Sequence, residues 1–258
     1  MNTFKRRRRD PLIGAIVTLG MLVVIPMGLR LLGVRAWPFL AGALPGALSL
    51  WLPRGPFAVA LAVCYGLATL YLAFHALPRL RRPDPVQLAA ATALATPSVA
   101  ALSLIAERGG YHLLGYTPHM LALTVAHFHF AGFAAALVAG LVGRQARSGA
   151  AALTVPAGTL LVLGGYFVGD WAELAGSLVL TAGMWWVGWL AWRSFRGVFL
   201  LTGAVLVASM LLALSWAVGQ ATGLPHPSME LMIATHGVGN AFGFALCAVA
   251  ALRRLDPL

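Results

Sequence analysis

Residues 123–133 read LTVAHFHFAGF, two histidines set in the middle of a longer apolar run that extends over 118–143. A run of this length matches the roughly 20 residues a helix needs to cross the hydrocarbon core of a bilayer. Eight comparable runs accompany it, at 11–34, 37–53, 56–78, 85–106, 150–169, 173–192, 198–219 and 227–251. Of the 258 residues, 60% are hydrophobic and 10% charged, and the mean hydropathy is +0.85. That composition excludes a soluble domain and points to an all-α, polytopic transmembrane helical bundle forming one domain over residues 11–252.

The net charge of +11 rests on 18 basic and 7 acidic residues. The arginines fall in short clusters between apolar runs, which marks loop anchors on one side of a membrane rather than a nucleic-acid surface. Lys5 to Arg9, Arg79 to Arg82, Arg144 with Arg147, Arg193 with Arg196, and Arg253 with Arg254 are such clusters. The positive-inside rule then makes residues 1–10 and the tail 253–258 cytoplasmic and implies a bacterial inner (plasma) membrane protein. The run after Arg9 is too long for a signal-peptide core and has no clear small-residue cleavage site, so it reads as a retained first helix.

With both ends on one face, the number of crossings must be even, yet three runs precede residue 79. The short run 37–53, which contains Pro38, Pro45 and Pro53, is therefore expected as a re-entrant or interfacial hairpin, leaving about eight full spans. Cys64 and Cys247 fall inside predicted spans, where packing is a better expectation than a disulfide.

In this topology Glu107, His112, His119, Asp170, Glu173, His226 and Glu230 all fall at the outer ends of helices or in outer loops. His127 and His236 each lie nine residues into their runs, about 13–14 Å deep, and so meet near one level. Residues i and i+2 of a helix differ by about 200°, which sends His127 and His129 to opposite faces and argues against one shared metal ion. No metal and no cofactor is expected, although a haem between His236 and one of the pair is a further reading. Alternatively, the histidines are packing residues, with Thr124 a hydrogen-bond partner for His127.

GDWAELAG (169–176) puts Asp170 and Glu173 on one helical face. Two carboxyl groups that close in a poorly solvated place resist double ionisation, which leaves one as a neutral Brønsted acid. In a hydrated turn they would merely cap the seventh helix. In THGVGNAFGF (235–244), His236 and Asn240 share a face beside a G-x-x-x-G contact. Glu107 adjoins Arg108, which suggests either a helix-end ion pair or a catalytic carboxylate. Phe128, Phe130, Phe133, Tyr166, Trp171 and Trp185 are the candidate pocket walls, whose ring faces favour positive charge. Trp189 and Trp192 continue from Trp185 as an interfacial belt.

HFHFAGF (127–133), GDWAE (169–173) and HGVGNAFGF (236–244) together resemble the bacterial YndJ-like membrane family over roughly residues 95–250; its members are often labelled transporters. The size, arginine-rich composition and buried carboxylates are also similar to the membrane-bound terpene cyclases of actinomycetes, though no diphosphate-binding DDxxD motif is present. That second likeness implies proton-initiated cyclisation or isomerisation of a lipid-soluble isoprenoid by general acid catalysis. Asp170 or Glu173 would be the acid, with Glu107 or His127 as partner or terminal base, and His129, His236 and Asn240 completing the polar layer. A transporter whose polar layer relays protons is the alternative, and a His-ligated haem or metal protein the third.

Overall fold

The computed structural model describes residues 10–81, 83–255 and 257–258; the basic stretch Lys5–Arg9 and Arg82 lie outside it. Among the described residues nine helices carry the fold: α1 Pro11–Leu31, α2 Ala36–Trp51, α3 Pro56–Leu80, α4 Pro85–Gly109, α5 Pro118–Gln145, α6 Gly149–Val168, α7 Asp170–Phe195, α8 Val198–Thr222 and α9 Met229–Leu252. No strand occurs among the described residues. The helix starts follow local chemistry. Asp10, Asp84 and Thr117 each cap a first turn with a side-chain oxygen, and a proline follows each at the first helical position, where its missing N–H costs nothing. Gly110 and Gly223, at φ 73° and 75°, end α4 and α8 in the left-handed conformation that a side chain would resist.

Eight of the nine helices are long and apolar enough to cross a membrane, as the apolar runs predict. The short segment, α2, is one continuous helix of 16 residues with Pro45 inside it, rather than a hairpin. Its length is about 24 Å, yet it connects the two ends of the bundle. Gly42 faces Ala68 and Gly46 faces Tyr65 along an antiparallel α2–α3 contact. The Arg108 guanidinium, at the far end of α4, bonds the Ser49, Leu50 and Leu52 carbonyls as α2 ends.

The expectation for residues 1–9 lies outside the described residues, but the described part of the chain does not begin and end at one face of the bundle. Gly14 packs on Trp51, Gly20 on His129, and Gly28 on Phe133 and Leu137, so α1 runs parallel to α5. At the other end, Leu258 N–H donates to the Leu31 carbonyl at 2.7 Å, and Arg79 donates to the Leu32 carbonyl at 2.6 Å. Asp10 and Leu258 therefore lie at opposite ends of the bundle. One end carries the arginines of the α1–α2, α3–α4, α5–α6 and α7–α8 connections. The other carries Glu107, Asp170, Glu173 and Glu230.

α5 is the central helix, with 83% of its most apolar stretch buried, against 28% for α8. Small residues let its neighbours close on it: Gly132 meets Thr96 and Gly140 meets Ala89, both of α4. A second seam joins α6 to α7, where Gly158 lies against Leu180, Gly176 against Val162 and Gly183 against Thr154. Such seams hold apolar helices together where lipid supplies no hydrophobic drive.

Candidate functional site

Three helices contain π-helical stretches, two of them at polar residues and one, in α1, at Gly20, which packs on His129. α1 is π-helical over Gly20–Val24, α5 over Phe128–Ala134, and α9 over Ile233–Gly237 and Gly239–Leu246. Such wider turns recur at functional sites because they re-aim side chains and loosen the backbone ladder. They also show where the bundle departs from simple packing.

Between α1 and α4–α9 lies a cavity of about 700 Å³, within the range of ligand pockets. At the acidic end of the bundle, here called its mouth, it is lined by Asp170, Glu173, Tyr116, Tyr166 and Gln220, of which Asp170, Tyr166 and Gln220 are exposed. Its walls along α9 extend from Met229 to Phe244, a rise of about 22 Å. The deep part is apolar, with Phe128, Phe130, Ala135, Met184, Met210 and Phe244. Neither lysine nor arginine is among the described residues that line it.

The polar residues form two tiers rather than one layer. At the mouth, close α6–α7 packing sets Gly165 against the backbone of Glu173, and the carboxyl of Glu173 has Asp170, Tyr116 and Tyr166 as electrostatic neighbours. The Tyr116 hydroxyl donates to the Tyr166 carbonyl at 2.9 Å, which straps the 110–117 loop across the mouth. Burial, and then the Glu173 carboxyl, push the Tyr116 phenol above its ordinary value, so it stays a neutral donor. Asp170 is exposed in the first turn of α7, the cap-like position foreseen as the alternative to a buried acid, while Glu173 lines the cavity.

The second tier is roughly 10 Å deeper, from the helical rise between Glu173 near the start of α7 and His127 ten residues past Thr117. Here His127 and His236 are electrostatic neighbours and both line the cavity. His236 is held at both nitrogens: Nδ1 donates to the Ser209 carbonyl at 2.8 Å, and Nε2 accepts from Asn240 Nδ2 at 3.0 Å. The Ser209 hydroxyl donates to Asn240 Oδ1 at 2.8 Å. A carbonyl only accepts, so this network selects the Nδ1–H tautomer of His236. Thr124 donates to the Met120 carbonyl instead of serving His127.

His129 faces the other way, as the i, i+2 spacing requires. It is fully buried, with Nε2 at 2.7 Å from the Tyr65 hydroxyl and Nδ1 against Gly20. It is a packing residue between α1, α3 and α5, outside the cavity. Glu107 also lies outside it. Its carboxylate is 2% exposed and pairs with Arg54 at 2.8 Å and with Arg108, the ion-pair reading rather than the catalytic one. Of the aromatic candidates, Phe128, Phe130 and Tyr166 line the cavity. Phe133 is buried against Gly28, Trp171 is 67% exposed, and Trp185 packs on the core; none of these three is a wall.

Several lining residues have no counterpart in the sequence reading, among them Tyr116, Ser177, Trp216 and Gln220. Ser209, which anchors His236, was legible only as one hydroxyl in the apolar run 198–219. Among the described residues no group of three or more His, Cys, Asp or Glu side chains could hold a metal ion. Both nitrogens of His236 are already engaged, which also makes it a poor axial ligand for haem. Cys64 and Cys247 are free thiols.

The fold and this site define a polytopic helical membrane protein with a largely apolar pocket among its helices. The chain belongs to the YndJ-like protein family, whose model matches residues 15–244, from the first helix to the ninth. The match begins well before residue 95, where the motifs alone placed the resemblance. No curated protein and no solved structure matches the chain, and the likeness to terpene cyclases has no counterpart in these comparisons.

Proposed function

We propose that the protein is a membrane enzyme that binds a lipid-soluble isoprenoid in this cavity and cyclises or isomerises it by proton transfer from Glu173. The observation that carries the reading is the shape of the cavity: apolar and about 700 Å³, with carboxyl groups only at its mouth. A prenyl chain would enter with its apolar length toward Phe128 and Phe244. Glu173 and Asp170 share one site, where the proximity of two carboxyl groups favours keeping one protonated.

In the proposed step the Glu173 O–H proton bonds to one carbon of a C=C at the mouth. The π pair forms the new C–H bond, and the other carbon becomes cationic. Attack by a second C=C closes a ring, and loss of a neighbouring proton to the Asp170–Glu173 pair restores the acid. Product and substrate are isomers and no co-reactant is consumed. The ring face of Tyr166, at the same end of the cavity, favours the cationic intermediate. Glu107, paired with two arginines, takes no part.

The arginine-bearing end is assigned to the cytoplasm of a bacterial inner membrane by the positive-inside rule, which opens the cavity to the opposite side. Transport has less support, because the walls nearest the arginine end are Ala135, Met184 and Phe244 rather than polar groups.

Membranes containing the protein are incubated in deuterated water with linear prenyl substrates, and products are read by mass spectrometry. The expected product is an isomer carrying one solvent deuterium on carbon, absent with Glu173→Gln. A product formed without deuterium, or formed undiminished by the variant, refutes Glu173 as the proton donor.

A further inference from the structure

A neutral imidazole presents one donor and one acceptor, and a buried polar group without a partner is costly. His127 makes no hydrogen bond with any described residue, although it lines the cavity at mid-depth. Its ring touches Phe128 edge-on, with centroids 5.8 Å apart, and Thr124, one turn earlier, is spent on Met120. The contrast with His236, satisfied at both nitrogens, is sharp for two imidazoles at one level.

Asn240 adds to this. Its Oδ1 accepts from Ser209 and its Nδ2 serves His236, and an amide nitrogen carries two hydrogens. One N–H of Asn240 is therefore uncommitted beside the cavity. The surrounding wall is mostly apolar, with Val99, Phe128, Phe130 and Ala213, and its other polar side chains are the hydroxyls of Ser103, Thr124 and Ser177. What the tier can hold is an acceptor with lone pairs, bonded by the imidazole N–H of His127 and the spare N–H of Asn240. An anionic acceptor is disfavoured, because neither lysine nor arginine among the described residues lines the cavity to balance it.

We infer that the ligand of this cavity carries an uncharged oxygen, a carbonyl, ether, epoxide or hydroxyl, bound by His127 and Asn240 roughly 10 Å deeper than the Glu173 carboxyl. This rests on the cavity being a ligand site, as the preceding reading holds, but not on its chemistry. The oxygen is an anchor. It fixes how far the chain descends, and hence which carbon lies beside Glu173. A pure hydrocarbon would leave His127 unpaired and would slide.

The test is equilibrium binding to the full-length protein in lipid nanodiscs, corrected for partition into protein-free discs. The probes are a linear C15 hydrocarbon, the same chain with a ketone at carbon 2, and the same chain with a ketone near carbon 9. The mid-chain ketone is expected to bind about tenfold tighter than the hydrocarbon, the scale of one good hydrogen bond. His127→Phe should abolish that preference while still binding the hydrocarbon, and His127→Gln should retain part of it. A wild-type protein that holds hydrocarbon and mid-chain ketone equally overturns the inference, as does a preference that survives in His127→Phe. If none of the chains is held, the cavity is not a lipid-ligand site, and the proposed function fails together with the inference.

Discussion

Glu107→Gln keeps the volume of the side chain and removes one negative charge from a cluster that holds three ionised groups. The Glu107 side chain is 3% exposed, that of Arg108 4% and that of Arg54 46%, so only Arg54 can turn to water. Arg108 would stay buried with its three carbonyl partners at 2.9, 3.4 and 3.3 Å but without its counter-charge. Breaking a buried pair on one side costs about 3–5 kcal/mol. At about 2–4 °C per kcal/mol for a chain of this size, the midpoint of unfolding should fall by about 10 °C. Arg108→Met alone should be similarly costly, since it strips the cap from the end of α2. The double variant Glu107→Gln with Arg108→Met should lose clearly less than the two single losses summed, because no buried charge is left uncompensated and Arg54, 46% exposed, can turn to water. The assay is thermal unfolding in detergent, followed by the circular dichroism of the helices. Glu107→Gln as stable as the wild type would refute the clamp, and additive losses in the double variant would refute the charge argument. In the same preparations, ligand binding per folded molecule should be unchanged by Glu107→Gln.

Other perturbations test the packing and the topology. Gly20→Val should destabilise by about 1–3 kcal/mol, because a Cβ there would lie 2.6 Å from His129 Nδ1, whereas Gly14→Ala meets only Trp51 at 3.6 Å and should be tolerated; thermal unfolding separates the two. Tyr65→Phe leaves a buried nitrogen of His129 without its partner at 2.7 Å and should cost about 1–3 kcal/mol, with no change in ligand binding. Single cysteines at Arg35 and at Leu114, in a protein with Cys64 and Cys247 replaced, should react with a membrane-impermeant thiol reagent from opposite sides. Labelling of both from one side would contradict the course of α1 and α2 between the two ends of the bundle.

The apolar runs made the helices legible, because the length needed to cross a hydrocarbon layer is set by helical rise alone. Their starts could be read at Asp10, Asp84 and Thr117 for the same local reason. The opposite aim of His127 and His129 followed from helical geometry, and a π-helical segment beginning at Phe128 did not overturn it. The course of α2 was not legible. Counting charges and prolines favoured a hairpin, whereas the buried Arg108 reaches down to its last carbonyls and lets 16 residues join both ends of the bundle. The stretch Lys5–Arg9, which argued for both chain ends on one face, carried no information about how α1 packs against α5.

The candidate site divides in the same way. Sequence determined that ionisable groups lie among apolar helices at the outer end and at mid-depth, because a side chain's depth is fixed by its place along a helix. Tertiary structure decided which of them meet. It drew Glu107 into a clamp with Arg54 and Arg108, hid His129 against Tyr65, and separated Glu173 from the imidazoles by roughly 10 Å of helical rise. Those outcomes depend on how helices are rotated and how closely they approach, at Gly20 against His129, Gly165 against Glu173 and Gly176 against Val162, contacts made between helices rather than within one.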